Sequence, residues 1–187
     1  FNNLVDTEAA WRCVQAMDKS TFACVIVKHA TPCGVAVAKT QIDAYKKAFA
    51  CDSSSAFGGI IALNRPLEAD AAQLMTSQQF IEVIIAPGFS DEALAILATK
   101  KNLRALSCQP DASKSARSYH SIDGGVLIQD VDSHIISDRD LTRATTRAPT
   151  EQEGQDCLFA WHVVKHVKSN AIVYAKEGAT LGIGSGQ

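Results

Sequence analysis

A lysine and a histidine stand side by side at the end of an apolar run, where their side chains could do acid–base chemistry. Residues 22–27 are apolar, Lys28 and His29 follow, and Pro32 and Gly34 come shortly after. An apolar run bounded in this way is typical of a buried strand that ends in a tight turn. Histidine ordinarily titrates near neutral pH and can accept a proton, whereas lysine supplies a positive charge.

The position of this pair relative to the strand decides whether both side chains can reach one ligand. Neighbouring residues within a strand point to opposite faces of the sheet. At the end of a strand the alternation lapses, so Lys28 and His29 can turn toward one site there. Working groups of α/β proteins often lie at such strand ends. The alternative is a strand that ends at the surface in two polar residues without a function.

The elements that must position this pair alternate between strand and helix, which predicts an α/β fold with a layered sheet. We predict strands over 22–27, 35–38, 60–63, 80–86, 103–106, 125–129, 171–175 and 181–183. We predict helices that begin at the capping residues Asp6, Thr40, Ser90 and Thr150, and one more over 68–75.

The connections and the last helix complete the pattern. Residues 109–118 are polar and are predicted to form a loop, and 130–149 an irregular connection with one short helical turn. Glu177–Gly178 is predicted to be a turn between the last two strands. The helix after Thr150 is predicted to end near 168–170. Its predicted buried face consists of Leu158, Trp161, Val164 and Val167.

Composition indicates a globular protein of one domain, with enough apolar material for a core. Of 187 residues, 47% are hydrophobic and 20% are charged, which is typical of soluble domains. The net charge of −2 argues against a nucleic-acid-binding protein, because there is no basic excess. The six cysteines form no CxxC pair, and no segment predicts a signal peptide or a membrane span. We therefore expect a reduced, cytoplasmic protein.

Six short segments along the chain form a set of motifs. They are Asn2-Asn3-Leu4-Val5-Asp6, Lys28-His29-x-x-Pro32-Cys33-Gly34 (KHxxPxG), Ser55-Ala56-Phe57-Gly58-Gly59 (SxFG), Glu82-Val83-Ile84-Ile85-Ala86-Pro87, Lys168-Ser169-Asn170-Ala171 and Gly182-Ile183-Gly184-Ser185-Gly186-Gln187 (GIGxGQ). In the same order, they resemble motifs of the family of bifunctional AICAR transformylase/IMP cyclohydrolase enzymes of purine biosynthesis. The resemblance covers nearly the whole chain and concerns the transformylase part of these enzymes.

The resemblance implies a layered α/β/α fold of the cytidine-deaminase-like type. It also implies that residues 1–187 are the N-terminal part of a transformylase domain. The cyclohydrolase domain would then precede Phe1, and the rest of the transformylase would follow Gln187. Members of the family work as homodimers with sites at the interface, so we expect self-association.

The reaction that the resemblance implies moves a formyl group from the cosubstrate 10-formyltetrahydrofolate to the amino group of the AICAR nucleotide, giving FAICAR. This amine is a poor nucleophile, so the reaction needs a base and donors for the oxyanion at the formyl carbon. By the resemblance, His29 is the base and Lys28 the partner of the oxyanion or of the leaving folate nitrogen. Asn170 holds the carboxamide and His29 in position.

The same comparison, residue by residue, implies ligand contacts at Asn3, Gly58 and Glu82. Asn3 and Gly58 are predicted to lie in turns, where the backbone can approach a ligand. Glu82 lies within a predicted strand, and the alternative for such a carboxylate is an outward-facing residue without a ligand. The alternative for Asn170 is a C-cap of the preceding helix.

A catalytic metal is not expected. The deaminases that share the implied fold bind zinc through H-x-E and P-C-x-x-C, and the sequence departs from both patterns after His29 and Pro32. His162 and His166 are four residues apart, which suits a metal site, but a solvated helix face is the simpler interpretation. His120 and His134 are predicted to lie in loops. Two other functions remain open, a non-catalytic module for nucleotide binding or dimerisation and a nucleotide deaminase.

Overall fold

A seven-stranded mixed sheet between two layers of helices forms the frame of the protein, which confirms the predicted layered α/β class. A computed structural model describes residues 1–109 and 117–186. The helices are α1 (Asn2–Gln15), α2 (Gln41–Cys51), α3 (Ala69–Gln78), α4 (Asp91–Ala98) and α5 (Glu151–Val164). The strands are β1 (Phe22–Lys28), β2 (Thr31–Ala38), β3 (Gly59–Leu63), β4 (Ile81–Ala86), β5 (Arg104–Ser107), β6 (Arg117–Ile122), β7 (Gly125–Asp130), β8 (Ala171–Lys176) and β9 (Ala179–Ser185).

The order of strands across the large sheet is β5-β4-β3-β1-β2-β9-β8. Strands β3, β4 and β5 are parallel to one another, and the remaining pairs of the sheet are antiparallel. The long β1 lies at the centre, so its interior residues are buried on both faces. Continuous burial explains why β1 appears in the sequence as an unbroken apolar run.

Helices cover both faces of the sheet. On one face α2, α3 and α4 pack against a core that includes Ile26, Ile61 and Ile84. On the other face α1 and α5 pack against a core that includes Val25 and Ile60. The alternation of side chains along each strand therefore supplies both cores from the same segments. None of the helices among the described residues combines the length and hydrophobicity that crossing a bilayer requires.

Three predicted helix starts are confirmed by side-chain caps. Thr40 accepts a hydrogen bond from the backbone N–H of Asp43, and Ser90 caps α4 in the same way. Thr150 and Glu153 form a reciprocal capping box at the start of α5. Such caps satisfy N–H groups that have no partner within the helix. Because they act over three residues, they can be found from the sequence.

The predicted start of α1 is wrong. The helix begins at Asn2 rather than after Asp6, and Phe1 occupies the N-cap without a side-chain hydrogen bond. Asn3 therefore lies in the first turn of a helix and not in a loop turn, and its carbonyl accepts a hydrogen bond of 2.5 Å from the Thr7 hydroxyl. Asp6 resembles an N-cap in the sequence, but its carboxylate binds a distant turn instead.

The predicted buried face of α5 is also wrong in part. Phe159 and Val163 are buried, whereas Trp161 has 55% of its surface exposed. Val167 is buried as predicted. From Cys157 to Val164 every residue except His162 is apolar, so the helical periodicity of this part does not single out one face.

The end of α5 lies earlier than predicted. The helix stops at Val164 with Lys165 as C-cap, so Asn170 is not a C-cap. Asn170 is exposed and directly precedes β8.

A separate antiparallel hairpin of β6 and β7 follows the large sheet along the chain. The prediction of β7 is confirmed. The sequence does not predict β6, whose first residues, Arg117 and Ser118, lie in the predicted loop over 109–118. Residues 110–116 of that predicted loop lie outside the described residues. His120 is part of β6 and not of a loop. Both strands are largely exposed. Because neither face of β6 is buried, its sequence does not alternate between apolar and polar residues. The predicted single helical turn within 130–149 is present as a 3-10 turn at Asp138–Asp140.

Candidate active site

The turn between β1 and β2 carries the lysine–histidine pair. Lys28 is the last residue of β1 and pairs with Thr31, so His29 and Ala30 form a two-residue hairpin turn. Both turn residues have positive φ, 52° and 58°, which is the signature of a type I′ turn. The prediction that Pro32 and Gly34 break the chain is wrong, because β2 starts at Thr31 and runs through both.

A β-bulge explains the Pro-Cys-Gly sequence within β2. Pro32 and Gly34 each pair with a residue of β1, whereas Cys33 between them has no partner. Proline is tolerated at a bulge, where the ladder is already interrupted. Gly34 is needed for close packing, because a Cβ atom there would lie 2.0 Å from the carbonyl oxygen of Ala48 in α2. These residues thus shape the strand beside the turn.

A cavity of about 420 Å³ opens where β2 and β9 separate. Between these two strands, Ala36 and Ala179 form the single register pair. Next to them the Thr180 hydroxyl accepts a hydrogen bond from Val35 N (2.9 Å) and donates one to Val35 O (3.1 Å). One hydroxyl therefore takes the place of a backbone partner, and beyond it the strands diverge. The cavity is lined by Lys28, His29, Thr31, Pro32, Cys33, Cys51, Asp52, Ser55, Gly182, Ile183 and Ser185.

Lys28 is tied to the loop that follows α2. Its ammonium group donates a hydrogen bond of 3.0 Å to the carbonyl oxygen of Gly58. Gly58 has a φ of +65°, and a Cβ atom at this position would lie 3.1 Å from Lys28 Nζ. The Gly58 amide in turn donates to the carbonyl of Phe80. Glycine is thus suited here by its backbone conformation and by the closeness of the lysine.

His29 is exposed, and its backbone is held by a residue of α1. The Asp6 carboxylate accepts hydrogen bonds from His29 N (3.1 Å) and Ala30 N (2.8 Å), one on each oxygen. Lys28 and His29 therefore face the same cavity, as the end-of-strand argument requires. The sequence does not indicate the Asp6 contact, because Asp6 lies 23 residues before His29 and no local pattern links the two.

Asn170 and Asn3 do not line the cavity. Asn170 lies one residue before β8, whose first residue, Ala171, pairs with Ser185 of the cavity wall. Asn3 lies half-buried in α1. The described residues thus bring Lys28, His29 and the Gly58 carbonyl together, and they leave both asparagines outside this group.

Glu82 contacts a cation of its own sheet. Its carboxylate lies 2.9 Å from the Arg104 guanidinium on the neighbouring strand β5. The β3–β4 register passes from Ile81 directly to Val83, so Glu82 is the extra residue of a bulge. This arrangement agrees with the alternative of an outward-facing residue.

The two thiols in the cavity wall are protonated at neutral pH. Burial raises the pKa of Cys33 to about 12, with a further contribution from Asp52. Burial also raises the pKa of Cys51. Hydrogen bonds from Ser55 lower the pKa of Asp52, which therefore remains a carboxylate. Because a thiol reacts as its thiolate, neither cysteine is a good nucleophile, and all six cysteines of the chain are free.

The interpretation of His162 and His166 as a solvated helix face is wrong. His162 Nε2 lies 3.0 Å from the carbonyl oxygen of Ile136, so the ring is engaged. His166 is mostly buried, and burial, with the nearby cation of Lys165 and others, lowers its pKa to about 4. Across residues 1–109 and 117–186, no three His, Cys, Asp or Glu side chains converge in a geometry that could hold a metal ion.

A second cavity, of about 610 Å³, lies on the other side of the Gly58 loop at the ends of α3 and α4. The rings of Phe57 and Phe80 in its wall are tilted against each other, with centroids 5.6 Å apart. Lys100 and Lys101 contribute positive charge. The amide of Gln79 is buried there and has no hydrogen-bond partner among the described residues. The wall of this cavity therefore combines aromatic rings with cationic side chains.

A comparison with known protein families places the chain in one of them. The model of the family described as "AICARFT/IMPCHase bienzyme" matches residues 1–187, the whole chain. The match supports a role in purine biosynthesis.

Proposed function

Because the chain belongs to the AICARFT/IMPCHase bienzyme family, we propose that it provides part of a formyltransferase site. The reaction moves a formyl group from 10-formyltetrahydrofolate to the AICAR nucleotide and yields FAICAR. In this proposal residues 1–187 are a part of the transformylase domain, and the enzyme also carries IMP cyclohydrolase activity. The observation that supports it most is the placement of Lys28 and His29 against one cavity.

His29 is proposed as the base that removes a proton from the attacking amine. An imidazole ordinarily titrates near neutral pH, so it can take up this proton and release it in each cycle. The side chain is exposed on the cavity rim and held by its backbone alone, which leaves the ring free to contact a substrate.

Lys28 is proposed as the donor to the oxyanion that forms when the amine attacks the formyl carbon. An ammonium group has three donor hydrogens, and Gly58 O takes one of them. This bond fixes the direction of the side chain and leaves two donors for substrate atoms. A donor held in place before the reaction stabilises developing charge without rearrangement.

The lining of the second cavity is suited to binding the folate cosubstrate. Phe57 and Phe80 offer ring faces for a flat heteroaromatic group, and Lys100 and Lys101 suit a carboxylate. Gly58 lies beside Phe57 and contacts Lys28. A formyl donor in this cavity and an amine in the β2–β9 cavity would therefore meet near the ammonium group.

The proposed homodimer has support from an exposed apolar surface. Ile172, Tyr174 and Leu181 on β8 and β9 expose 64%, 70% and 62% of their surface. Strand β9 also lines the cavity through Gly182 and Ser185. An exposed apolar surface beside the candidate site is suited to a dimer interface. We propose that a second subunit completes the site at this interface and that Asn170 has its positioning role in the dimer.

The test is formyl transfer by the full-length enzyme, wild type beside His29→Ala, followed by the appearance of tetrahydrofolate. We expect kcat to fall by about 10²–10⁴-fold, as for the loss of a general base, with the KM for AICAR changed by less than about threefold. His120→Ala, on the exposed β6–β7 hairpin, is the matched control and should retain wild-type turnover. Unchanged turnover of His29→Ala would contradict the role of His29.

The alternative of a non-catalytic nucleotide-binding or dimerisation fragment is favoured by one observation, the absence of Asn170 from the cavity wall. If AICAR raises the melting temperature of the full-length protein but no formyl transfer occurs, this alternative is correct.

A further inference from the structure

The backbone of the His29 turn has a conformation that its own residues disfavour. His29 and Ala30 both have positive φ, where the Cβ atom of an L-residue crowds the backbone. Type I′ turns usually contain Asn or Gly at these positions. A turn without glycine needs support from the surrounding structure to stay in one conformation.

Asp6 supplies that support from outside the hairpin. Its two carboxylate oxygens accept one hydrogen bond each from His29 N and Ala30 N, at 3.1 and 2.8 Å. Charge-assisted hydrogen bonds are stronger than neutral ones. The two amides belong to the peptide groups on either side of the His29 Cα, so the two bonds fix how these groups are oriented relative to each other and, with that, the direction of the His29 Cα–Cβ bond.

We propose that Asp6 is a positioning residue that aims the His29 imidazole into the cavity. It acts through the backbone of the turn and does not touch the reacting atoms. This inference rests on the proposed function of His29, because the aim of the ring matters only if the ring takes part in the reaction.

The chain contains a matched control for the structural part of this role. At the turn between β8 and β9, the Asp156 carboxylate accepts hydrogen bonds from Glu177 N (2.9 Å) and Gly178 N (3.0 Å). The number and type of bonds are the same, and neither turn residue lines the cavity. A loss of stability from a broken aspartate–turn contact can therefore be measured at Asp156 and compared with that at Asp6.

The experiment compares Asp6→Asn, Asp6→Glu and Asp156→Asn in the full-length enzyme. Asn offers one acceptor and places an NH₂ group against the second amide, whereas Glu keeps both acceptors. Three quantities are measured: kcat and KM, hydrogen exchange at the turn amides, and the NMR signal of a ¹³C-labelled His29 ring with and without AICAR.

We expect Asp6→Asn to lower kcat by about 10–100-fold while the KM for AICAR changes by less than about threefold, because a misaimed base affects the chemical step. Exchange at His29 and Ala30 should become faster and the His29 ring signal should shift. Asp6→Glu should restore part of kcat. Asp156→Asn should speed exchange at Glu177 and Gly178 and leave kcat within about twofold.

Two results would overturn the inference. One is a faster exchange at His29 and Ala30 with kcat unchanged, and the other is an unchanged His29 ring signal in Asp6→Asn, with and without AICAR. If the wild-type enzyme shows no formyl transfer, the proposed function fails. The ring signal then decides separately whether Asp6 aims His29.

Discussion

Two hairpin turns of this protein have the same construction and differ in what they contain. Each is a two-residue turn with positive φ at both positions, and an aspartate on a helix binds both of its amides. The helices, α1 and α5, pack on the same face of the sheet. The β8–β9 turn uses Gly178, whereas the β1–β2 turn uses His29 and Ala30.

The two turns differ in how much backbone strain they carry. Glycine adopts positive φ without a steric penalty, so the β8–β9 turn carries this penalty only at Glu177. The β1–β2 turn carries it at both positions, His29 and Ala30, and backbone strain of this kind is typical of functional sites. The comparison therefore singles out the β1–β2 turn on physical grounds that are independent of any family.

The largest effect is expected when the first turn receives the residues of the second. His29→Glu with Ala30→Gly should stabilise the fold by about 0.5–1 kcal/mol, because glycine relieves the strain at residue 30 and loses part of this gain to unfolded-state entropy. Formyl transfer by the full-length enzyme should fall by about 10²-fold or more. Urea unfolding and steady-state kinetics measure the two effects. Loss of stability together with loss of activity would argue that the turn has no strain to relieve.

A smaller effect is expected from the reverse change at the second turn. Gly178→Ala places a Cβ atom at a φ of +67° and 2.8 Å from Val37 Cγ2, so we expect a loss of about 2 kcal/mol in the free energy of unfolding. The change should leave kcat nearly unaltered, since residue 178 does not line the cavity. Urea denaturation gives the first quantity. A stability equal to wild type would show that the two turns do not differ in their need for glycine.

The smallest effect concerns acid pH at the second turn. Burial raises the pKa of Asp156, but hydrogen bonds from the Gly178 and Glu177 amides outweigh this, so its pKa lies below the usual range. The stability it contributes is therefore present above the unfolded-state pKa, near 3.9, and is lost as pH falls through the folded-state value. The contribution should stay below about 1 kcal/mol, because solvent screens this carboxylate. Urea midpoints between pH 6 and pH 2.5 should converge for wild type and Asp156→Asn, and a constant gap would contradict this.

The second hairpin could be predicted from the sequence and the first could not, for a local reason. Glu177-Gly178 between two apolar runs is a turn signal that acts over two residues. His29-Ala30 has no such signal, whereas Pro32 and Gly34 do, so the sequence predicts the turn a few residues too late. Gly34 in fact allows α2 to approach, which depends on Ala48.

The candidate site divides in the same way. Strand β1 and the Lys28–His29 pair at its end follow from an apolar run of adjacent residues. The contact between Asp6 and His29 does not follow from the sequence, because the two residues are 23 positions apart. The Thr180–Val35 hydrogen bond, beyond which β2 and β9 separate, joins residues that are 145 positions apart. The residues around Asn170 predict a helix end at this position, but the helix stops at Val164. Long-range partners determine where the site lies, and a single sequence does not reveal them.

The Thr180 hydroxyl allows the sheet to open between β2 and β9. A sheet usually forms a closed partition between two layers of helices, because bare peptide groups at a gap would be costly. Here the Thr180 hydroxyl bonds to both the N–H and the carbonyl oxygen of Val35. The strands can therefore separate without leaving these backbone groups unpaired. Cys51 at the end of α2 and the turn bound by Asp6 of α1 therefore line the same cavity, so side chains supported by helices on opposite faces of the sheet meet in one space.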